Sequence, residues 1–488
     1  MQTKKKLIIP ALAVALAFSC NKKEMLSPIP TTAISDASAF DTPDRVANQV
    51  RALYGNFKSG NLQGGRYLIY NDIRGEDFQN ELTNAVTGFS TWNYSLTNTA
   101  QEVTGLWNQA YLTINSCNVF MDGMAAKGTA LVGDALAKNY LAEARLIRAM
   151  CYYDLLQLYA RPYWDGNGSK PGLPIRTTGN KGPGNYELAR STVDQVYSLI
   201  LEDLNFAETN LPLTNATAAL NTTRAHRNTA LALKTRVYLS MGKYGDVITA
   251  AEKFVGSSAP FTATSGVPNA LQADITAVFK PPYTTTESIF SLPFASNETP
   301  GGQNQLGYYY SPLASQGGVG NGEYSLNQSG IIADAAWLAT DKRRAFVFTS
   351  PNTKKWLIKY NTASPYTDYA PVIRYAEVLL NLAEARVRST NTVDARAIAL
   401  LNAVHLRSEP TTPYTAAGFA NANELAMAIL RERRIEFLGE GLRSPDLLRL
   451  GLPIPAKGSV SQIAPTDSRY IWPISSIELL LNPLATDN

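Results

Sequence analysis

Apolar residues recur at helical spacing through most of this chain, and one stretch stands out. Tyr140-Leu-Ala-Glu-Ala-Arg-Leu-Ile-Arg-Ala-Met-Cys-Tyr-Tyr-Asp-Leu-Leu-Gln-Leu-Tyr159 is followed by Ala160-Arg161-Pro162. It predicts a long helix ending before Pro162, which cannot continue the hydrogen-bond ladder. At about 100° per residue, Glu143, Asp154 and Gln157 share one narrow polar stripe. A helix apolar on most of its circumference must be covered by other helices, with its few charges paired or turned to a groove.

Other segments repeat the signal. Asp41-Thr42-Pro43 opens a helix carrying Val46, Val50, Leu53 and Tyr54. Leu106, Trp107, Ala110, Tyr111 and Ile114 mark another from Glu102. Arg190 to Asp194 is a capping-box-like start. Asn228 to Val255 reads as two helices joined at Gly242, a tetratricopeptide-like hairpin, and Pro371 to Ala385 begins a further one. Leu141-Ala-Glu-Ala144 echoes Leu382-Ala-Glu-Ala385. The expected fold class is mostly α: helix hairpins over 41–57, 102–160, 190–255 and 370–450, stacked without a regular period. Two stretches break the pattern, 60–100 and 256–369. They are rich in Gly, Pro, Ser, Thr, Asn and Tyr, with strand-like pieces at Ser288–Phe294 and Trp356–Tyr360. Such insertions are candidate ligand faces with minor β structure.

The amino terminus reads as a leader. Lys4-Lys5-Lys6 precedes an apolar run, Leu7–Phe18, too short to span a bilayer. Ala17-Phe18-Ser19-Cys20 resembles a lipobox, which makes 1–19 a signal peptide and Cys20 the lipidated first residue. Residues 20–36 form a polar, proline-containing tether of at most ~3.3–3.6 Å per residue, leaving 37–488 as one domain. No other run approaches membrane length, so attachment is expected through lipid alone. Without the leader's lysines the count is 41 basic to 40 acidic residues. Such a balance gives no electrostatic reason to expect nucleic acid. Cys117 and Cys151 lie in apolar helical patterns and read as free buried thiols, with a bridge between them left open.

Enzyme motifs are scarce. His226 and His405 are far apart, neither with a second ligand at metal-site spacing. There is no GxSxG, P-loop or GxGxxG, and Gly317–Gly322 lacks the Lys-Ser/Thr of a phosphate loop. Glu76-Asp77 and Glu436 with Glu440 could supply two carboxylates for glycoside hydrolysis. The second pair lies among Arg431, Arg433, Arg434 and Arg443, which favours helix-surface ion pairs. No cofactor is expected; a structural Ca²⁺ stays open, without an Asp-rich loop to support it.

Aromatics interleaved with amides carry the binding signal. Trp92-Asn93-Tyr94 is followed by Asn98, and Tyr308-Tyr309-Tyr310 lies beside Gln303-Asn304-Gln305. Sugar rings present C–H faces that stack on aromatic planes and hydroxyls that need amide partners. Trp92, Asn93, Tyr94, Asn98, Tyr308, Tyr309 and Tyr310 are therefore the candidate ligand residues.

Arg148-Ala-Met-Cys-Tyr-Tyr-Asp-Leu-Leu-Gln-Leu-Tyr159, then Pro162 and Gly172-Leu-Pro-Ile175, resembles the SusD/RagB family signature. Ile429 to Gly441, with Leu442-Arg-Ser-Pro-Asp-Leu-Leu-Arg449, is similar to the family's ending, with Ser444-Pro445 in place of the usual aromatic pair. Trp472-Pro473-Ile474 and Asn482-Pro483 are also family-like. The resemblance implies a surface-exposed outer-membrane lipoprotein that binds an oligosaccharide without turnover. Its partner would be a SusC-like, TonB-dependent transporter. Peptide capture, as in RagB-like members, is the alternative within the family. A periplasmic tetratricopeptide scaffold protein and an enzyme are the alternatives outside it.

Overall fold

The computed structural model describes residues 38–488. The expected leader, Cys20 and the tether to residue 36 lie outside them. Helix α1, Pro43–Phe57, begins as its sequence demands. Thr42 caps it by accepting from Arg45 N, and Pro43 occupies the first turn. Val46, Val50, Leu53 and Phe57 face inward. Helix α2, Arg66–Ile73, corrects the expectation of an irregular segment. All eight of its residues are buried, so it has no polar side to create a period. It leads into strand β1, Phe78–Asn80.

Helices α3, Gln101–Gly123, and α4, Asp134–Tyr159, pack together, and α5, Val193–Asn210, packs on α4. Thr192 and Gln195 form a reciprocal capping box at the start of α5. The expected polar stripe on α4 is internal. Arg224 grips Glu143 through two bonds of 2.7 and 2.8 Å, with the Tyr54 hydroxyl donating to the same carboxylate. Gln157 donates to the Tyr197 hydroxyl. Arg148, on another side, makes two 2.8 Å bonds to Asp203. Cys117 and Cys151 are buried free thiols.

Helices α6, Arg227–Ser240, and α7, Tyr244–Glu252, form the expected hairpin, turning at Gly242 with φ +68°. Beyond it comes the insertion, which contributes β2 (Ser288–Leu292), β3 (Tyr324–Leu326), β4 (Val347–Thr349), β5 (Lys355–Leu357) and β6 (Ala370–Arg374). Ala370–Arg374, expected as the start of a helix, is a strand buried along its whole length. It pairs antiparallel with β2, Ser291 facing Pro371. The helix starts at Tyr375: α8 is Tyr375–Thr390, followed by α9, Ala395–Leu406, α10, Ala422–Glu436, and α11, Arg443–Arg449. Helix α8 packs against α6, α7, α9 and α10, extending the stack. The other sheet, in the order β1-β3-β5-β4, pairs Gln79 with Ser325 and so ties the 60–100 segment to the insertion.

A buried ionic network fastens the insertion to α10. Arg374 donates to Glu440 at 2.7 and 2.8 Å, to Glu436 at 2.9 Å and to Glu287 at 2.5 Å. Arg407 bridges Glu287 and Glu436, and Arg343 joins Asp341, Glu432 and Glu436. Lys359 donates to Glu440 at 2.8 Å. Arg433 binds Asp446, while Arg434 binds Asp77. The arginine run of α10 is thus mostly buried pairing, where helix-surface pairing was expected; Arg431, half-exposed beside Asp334, fits the expectation.

Two outcomes follow for stability. Replacing Arg374 with Met keeps the volume but strands buried carboxylates, so it should cost about 3–5 kcal/mol at neutral pH in urea unfolding. Burial alone would raise the Glu436 and Glu440 pKa values, but Arg407 and Arg374 hold Glu436 low, and Arg374 and Lys359 hold Glu440 low. Without Arg374 they protonate more easily, so the penalty should shrink on acidification.

Asp154 has the opposite sign. It is wholly buried, meets Gln63 Nε2 at 2.9 Å on both oxygens, and burial raises its pKa to about 8. The folded chain therefore keeps a proton there that the unfolded chain sheds near pH 4, and stability falls from that pH up to about 8. Asp154→Asn should leave the melting temperature nearly unchanged at pH 4 and raise it near pH 8. The difference should reach a few kcal/mol, at about 1.4 kcal/mol per tenfold change in proton affinity.

Candidate ligand-binding face

The short helix Leu306–Tyr310 carries the three consecutive tyrosines, and its geometry separates them. Three consecutive side chains span about 200° of a helix and cannot all share one side. Tyr309 and Tyr310 are fully buried. Tyr309 stacks on Tyr324 at 6.1 Å, and Tyr310 packs on Phe78 at 4.9 Å with its hydroxyl donating to Asp72 at 3.1 Å. Tyr308 alone remains half-buried. It meets Tyr366 edge-on, with ring centroids 6.0 Å apart.

Tyr366 is also half-buried and can lie close because residue 307 is glycine. A Cβ there would stand 3.2 Å from Tyr360 O and 3.3 Å from the Tyr366 ring. The same loop brings in Tyr369, half-buried and stacked flat on Tyr283 at 4.6 Å and 21°. The Tyr283 hydroxyl donates to Asp368 Oδ1 at 3.2 Å, and Thr362 N donates to Asp368 Oδ2 at 3.0 Å. Burial raises the Asp368 pKa.

Amides flank these rings. Gln303 is half-buried, three residues before the helix that carries Tyr308. Asn321 N donates to Tyr308 O at 2.9 Å, while Asn321 Nδ2 donates to the buried Glu323 at 2.6 Å. Gln303, Tyr283 and Tyr366 all hold left-handed backbone, at φ +60°, +61° and +61°. Non-glycine residues seldom adopt that region, and their clustering marks a surface whose shape the fold enforces. The face is thus Tyr308, Tyr366 and Tyr369 with Gln303 and Asn321.

The other expected cluster sits deeper. Trp92 is buried, its Nε1 donating to Phe78 O at 2.9 Å, with Lys457 Nζ 5.5 Å from its ring centroid. Tyr94 is buried at φ +56°, its hydroxyl donating to Arg74 O. Asn93 and Asn98 are half-buried. Asn93 caps the short helix Phe89–Trp92 with its backbone, and Asn98 O accepts from Ser476 N. Of the seven expected residues, four rings or their edges belong to the core: Trp92, Tyr94, Tyr309 and Tyr310. That corrects the idea that each offers a free ring. Tyr366 and Tyr369 were missed, although Ser364-Pro-Tyr-Thr-Asp-Tyr369 places two tyrosines three apart in a proline turn.

The carboxylate pairs weighed for hydrolysis are engaged. Arg443 and Arg434 bind Glu76, and Glu436 and Glu440 lie in the ionic network. His226 is buried against Ile289 O, with its pKa pushed down to about 4 by burial. His405 pairs with Glu432 at 3.0 Å. Among the described residues no three His, Cys, Asp or Glu side chains gather as a metal site, and no helix is long and apolar enough to cross a membrane.

Comparison with known proteins agrees with this architecture. The SusD family model matches residues 335–488, and a SusD-like model described as "Starch-binding associating with outer membrane" matches 35–239. SusD-like protein P38 of Formosa agariphila is 23% identical, over 93% of this chain and 89% of its own. Surface glycan-binding protein A from Bacteroides thetaiotaomicron, solved with laminarihexaose, shares the fold with a TM-score of 0.73 at 18% identity, over 92% of this chain and 99% of its own. A SusD superfamily protein from Bacteroides fragilis superposes with a TM-score of 0.81 at 33% identity, over 92% of this chain and 99% of its own. The protein described here therefore belongs to the SusD superfamily.

Proposed function

We propose that this chain is a lipid-anchored outer-membrane protein that captures an oligosaccharide at the cell surface and delivers it to a SusC-like, TonB-dependent transporter. The half-buried ring set Tyr308–Tyr366–Tyr369, flanked by Gln303 and Asn321, carries the reading. Aromatic planes stack on the C–H faces of sugar rings, and amides meet the hydroxyls around their edges. Membership of the superfamily and the laminarihexaose complex of a distant relative support the same ligand class. Anchoring rests on Cys20, and delivery on the family's association with the outer membrane. Binding in this reading is noncovalent; the carboxylate pairs weighed for hydrolysis are held in ion pairs. Asn93 and Asn98 stay in the proposal as polar groups on the 60–100 side.

The chain from Asn21 onward retains every described element and can be titrated with polysaccharides, oligosaccharides and peptides. Tyr308→Ala and Tyr366→Ala should each weaken glycan binding by about tenfold, the loss of ~1.4 kcal/mol of stacking, at an unchanged melting temperature. Capture of peptides alone would establish the RagB-like alternative in place of the glycan reading. Glycan binding untouched by both variants would place the site elsewhere.

A further inference from the structure

The glycine-rich run Gly317–Gly322 is zipped along the segment that carries Tyr308. Val319 N donates to Ser311 Oγ at 3.0 Å, and Gly320 N to Pro312 O at 3.0 Å. Asn321 N donates to Tyr308 O at 2.9 Å, and Gly322 N to Ser311 O at 3.0 Å. The approach is too close for a side chain. A Cβ at residue 320 would stand 2.3 Å from Ser311 O and 2.4 Å from Gly307 O. The run therefore fixes the Asn321 backbone against Tyr308.

The Asn321 side chain is fixed from behind. Its Nδ2 donates to Glu323 Oε1 at 2.6 Å, and Thr87 Oγ1 donates to Glu323 Oε2 at 2.6 Å. A carboxylate accepts hydrogen bonds and does not donate, whereas an amide donates at one end and accepts at the other. With Nδ2 turned in to the carboxylate, Asn321 Oδ1 is turned out. Among the described residues nothing donates to that oxygen, and it is not closed off in the interior. Asn321 as a whole is half-buried.

Glu323 is fully buried, and among the described residues no lysine or arginine pairs with it. Burying a carboxylate against neutral donors alone is unfavourable. An apolar side chain would fill the space without that cost. What the carboxylate adds is direction: it decides which end of the Asn321 amide faces a ligand.

We infer that Glu323 is a positioning residue for the ligand-binding face, holding Asn321 with its amide oxygen outward, so that a ligand must bring a hydrogen-bond donor beside the Tyr308 ring. A hydroxyl or an N–H meets that demand. An ether oxygen or a carboxylate at the same point faces another acceptor and is disfavoured. The inference rests on the face around Tyr308 as the binding site and adds a rule of selection to it.

Calorimetric titration of the chain from Asn21 onward with laminarihexaose, maltohexaose and cellohexaose tests this. Asn321→Ala and Glu323→Met should each weaken the best-bound hexaose about threefold to tenfold, the range of one hydrogen bond. The double variant should lose no more than either single one, because Glu323 acts through Asn321. Glu323→Gln, whose amide oxygen can still accept from Asn321, should restore most of the affinity. A second readout needs no ligand. The side-chain N–H resonances of Asn321, assigned by their loss in Asn321→Ala, should exchange slowly with water in the wild type and quickly in Glu323→Met. Wild-type affinity in Glu323→Met, losses that multiply in the double variant, Glu323→Gln as weak as Glu323→Met, or amide exchange unchanged by Glu323→Met would each overturn the proposal. Failure of all three hexaoses to bind would overturn it together with the oligosaccharide reading. Weak binding in Tyr308→Ala with wild-type affinity in Asn321→Ala would sink this role alone; the reverse would keep the role and remove the Tyr308 ring from the site.

Discussion

The buried ionic network around Arg374 is the constraint on which the arrangement of the insertion depends. A guanidinium 1% exposed is stable only if each face of its charge is answered. Arg374 is answered by Glu287 from the edge of β2, by Glu436 at the end of α10 and by Glu440 in the turn after it. The rings of Phe279 and Phe437 close over it at 5.4 and 5.1 Å. Hydrophobic contact alone would allow the β2–β6 pair to slide on the helices at little cost, since apolar burial is not directional. Bidentate charge pairing does not slide, because a shift of one residue would leave charges buried without partners. Register between insertion and scaffold is therefore set at this point.

A second clamp works at the end of α2. Gly441, at φ +75°, approaches so closely that a Cβ would stand 2.7 Å from Leu68 Cα. Its N–H donates to Asp72 at 2.9 Å, and Asp72 also receives the Tyr310 hydroxyl. One buried carboxylate thus joins α2, the turn after α10 and the short helix that displays Tyr308. Burial raises the Asp72 pKa even with these donors in place. The half-buried ring at Tyr308 is thus positioned by the buried Tyr309 and Tyr310 on its own helix.

Legibility in the sequence followed from asymmetry of burial. Helices with one wet side, such as α1 with Val46, Val50 and Leu53 inward, announced themselves by period, and their caps at Thr42 and Thr192 were readable. Where burial is complete the period vanishes. Arg66–Ile73 looked irregular because its polar residues are inside with the apolar ones. Ala370–Arg374 looked helical because a short apolar run has the same appearance as strand or helix. The aromatic-rich stretches were rightly singled out as structurally distinct. Which ring faces solvent was not readable, because that depends on partners far away in sequence: Phe78 for Tyr310, Tyr324 for Tyr309, Lys457 for Trp92.

Lys457 shows why buried rings still bear on the surface above them. Its ammonium donates to Ile73 O and Gly75 O and lies against both Trp92 and Tyr94. Burial drives its pKa down, yet the two carbonyls and two ring faces supply partial negative charge around it. This lysine comes from the carboxy-terminal segment, and the carbonyls it binds come from the end of α2. The contact therefore fixes the distance between residues 91–96 and the carboxy-terminal segment that carries Lys457. Two rings singled out in the sequence are packed against this one lysine, which ties the 60–100 stretch to the end of the chain.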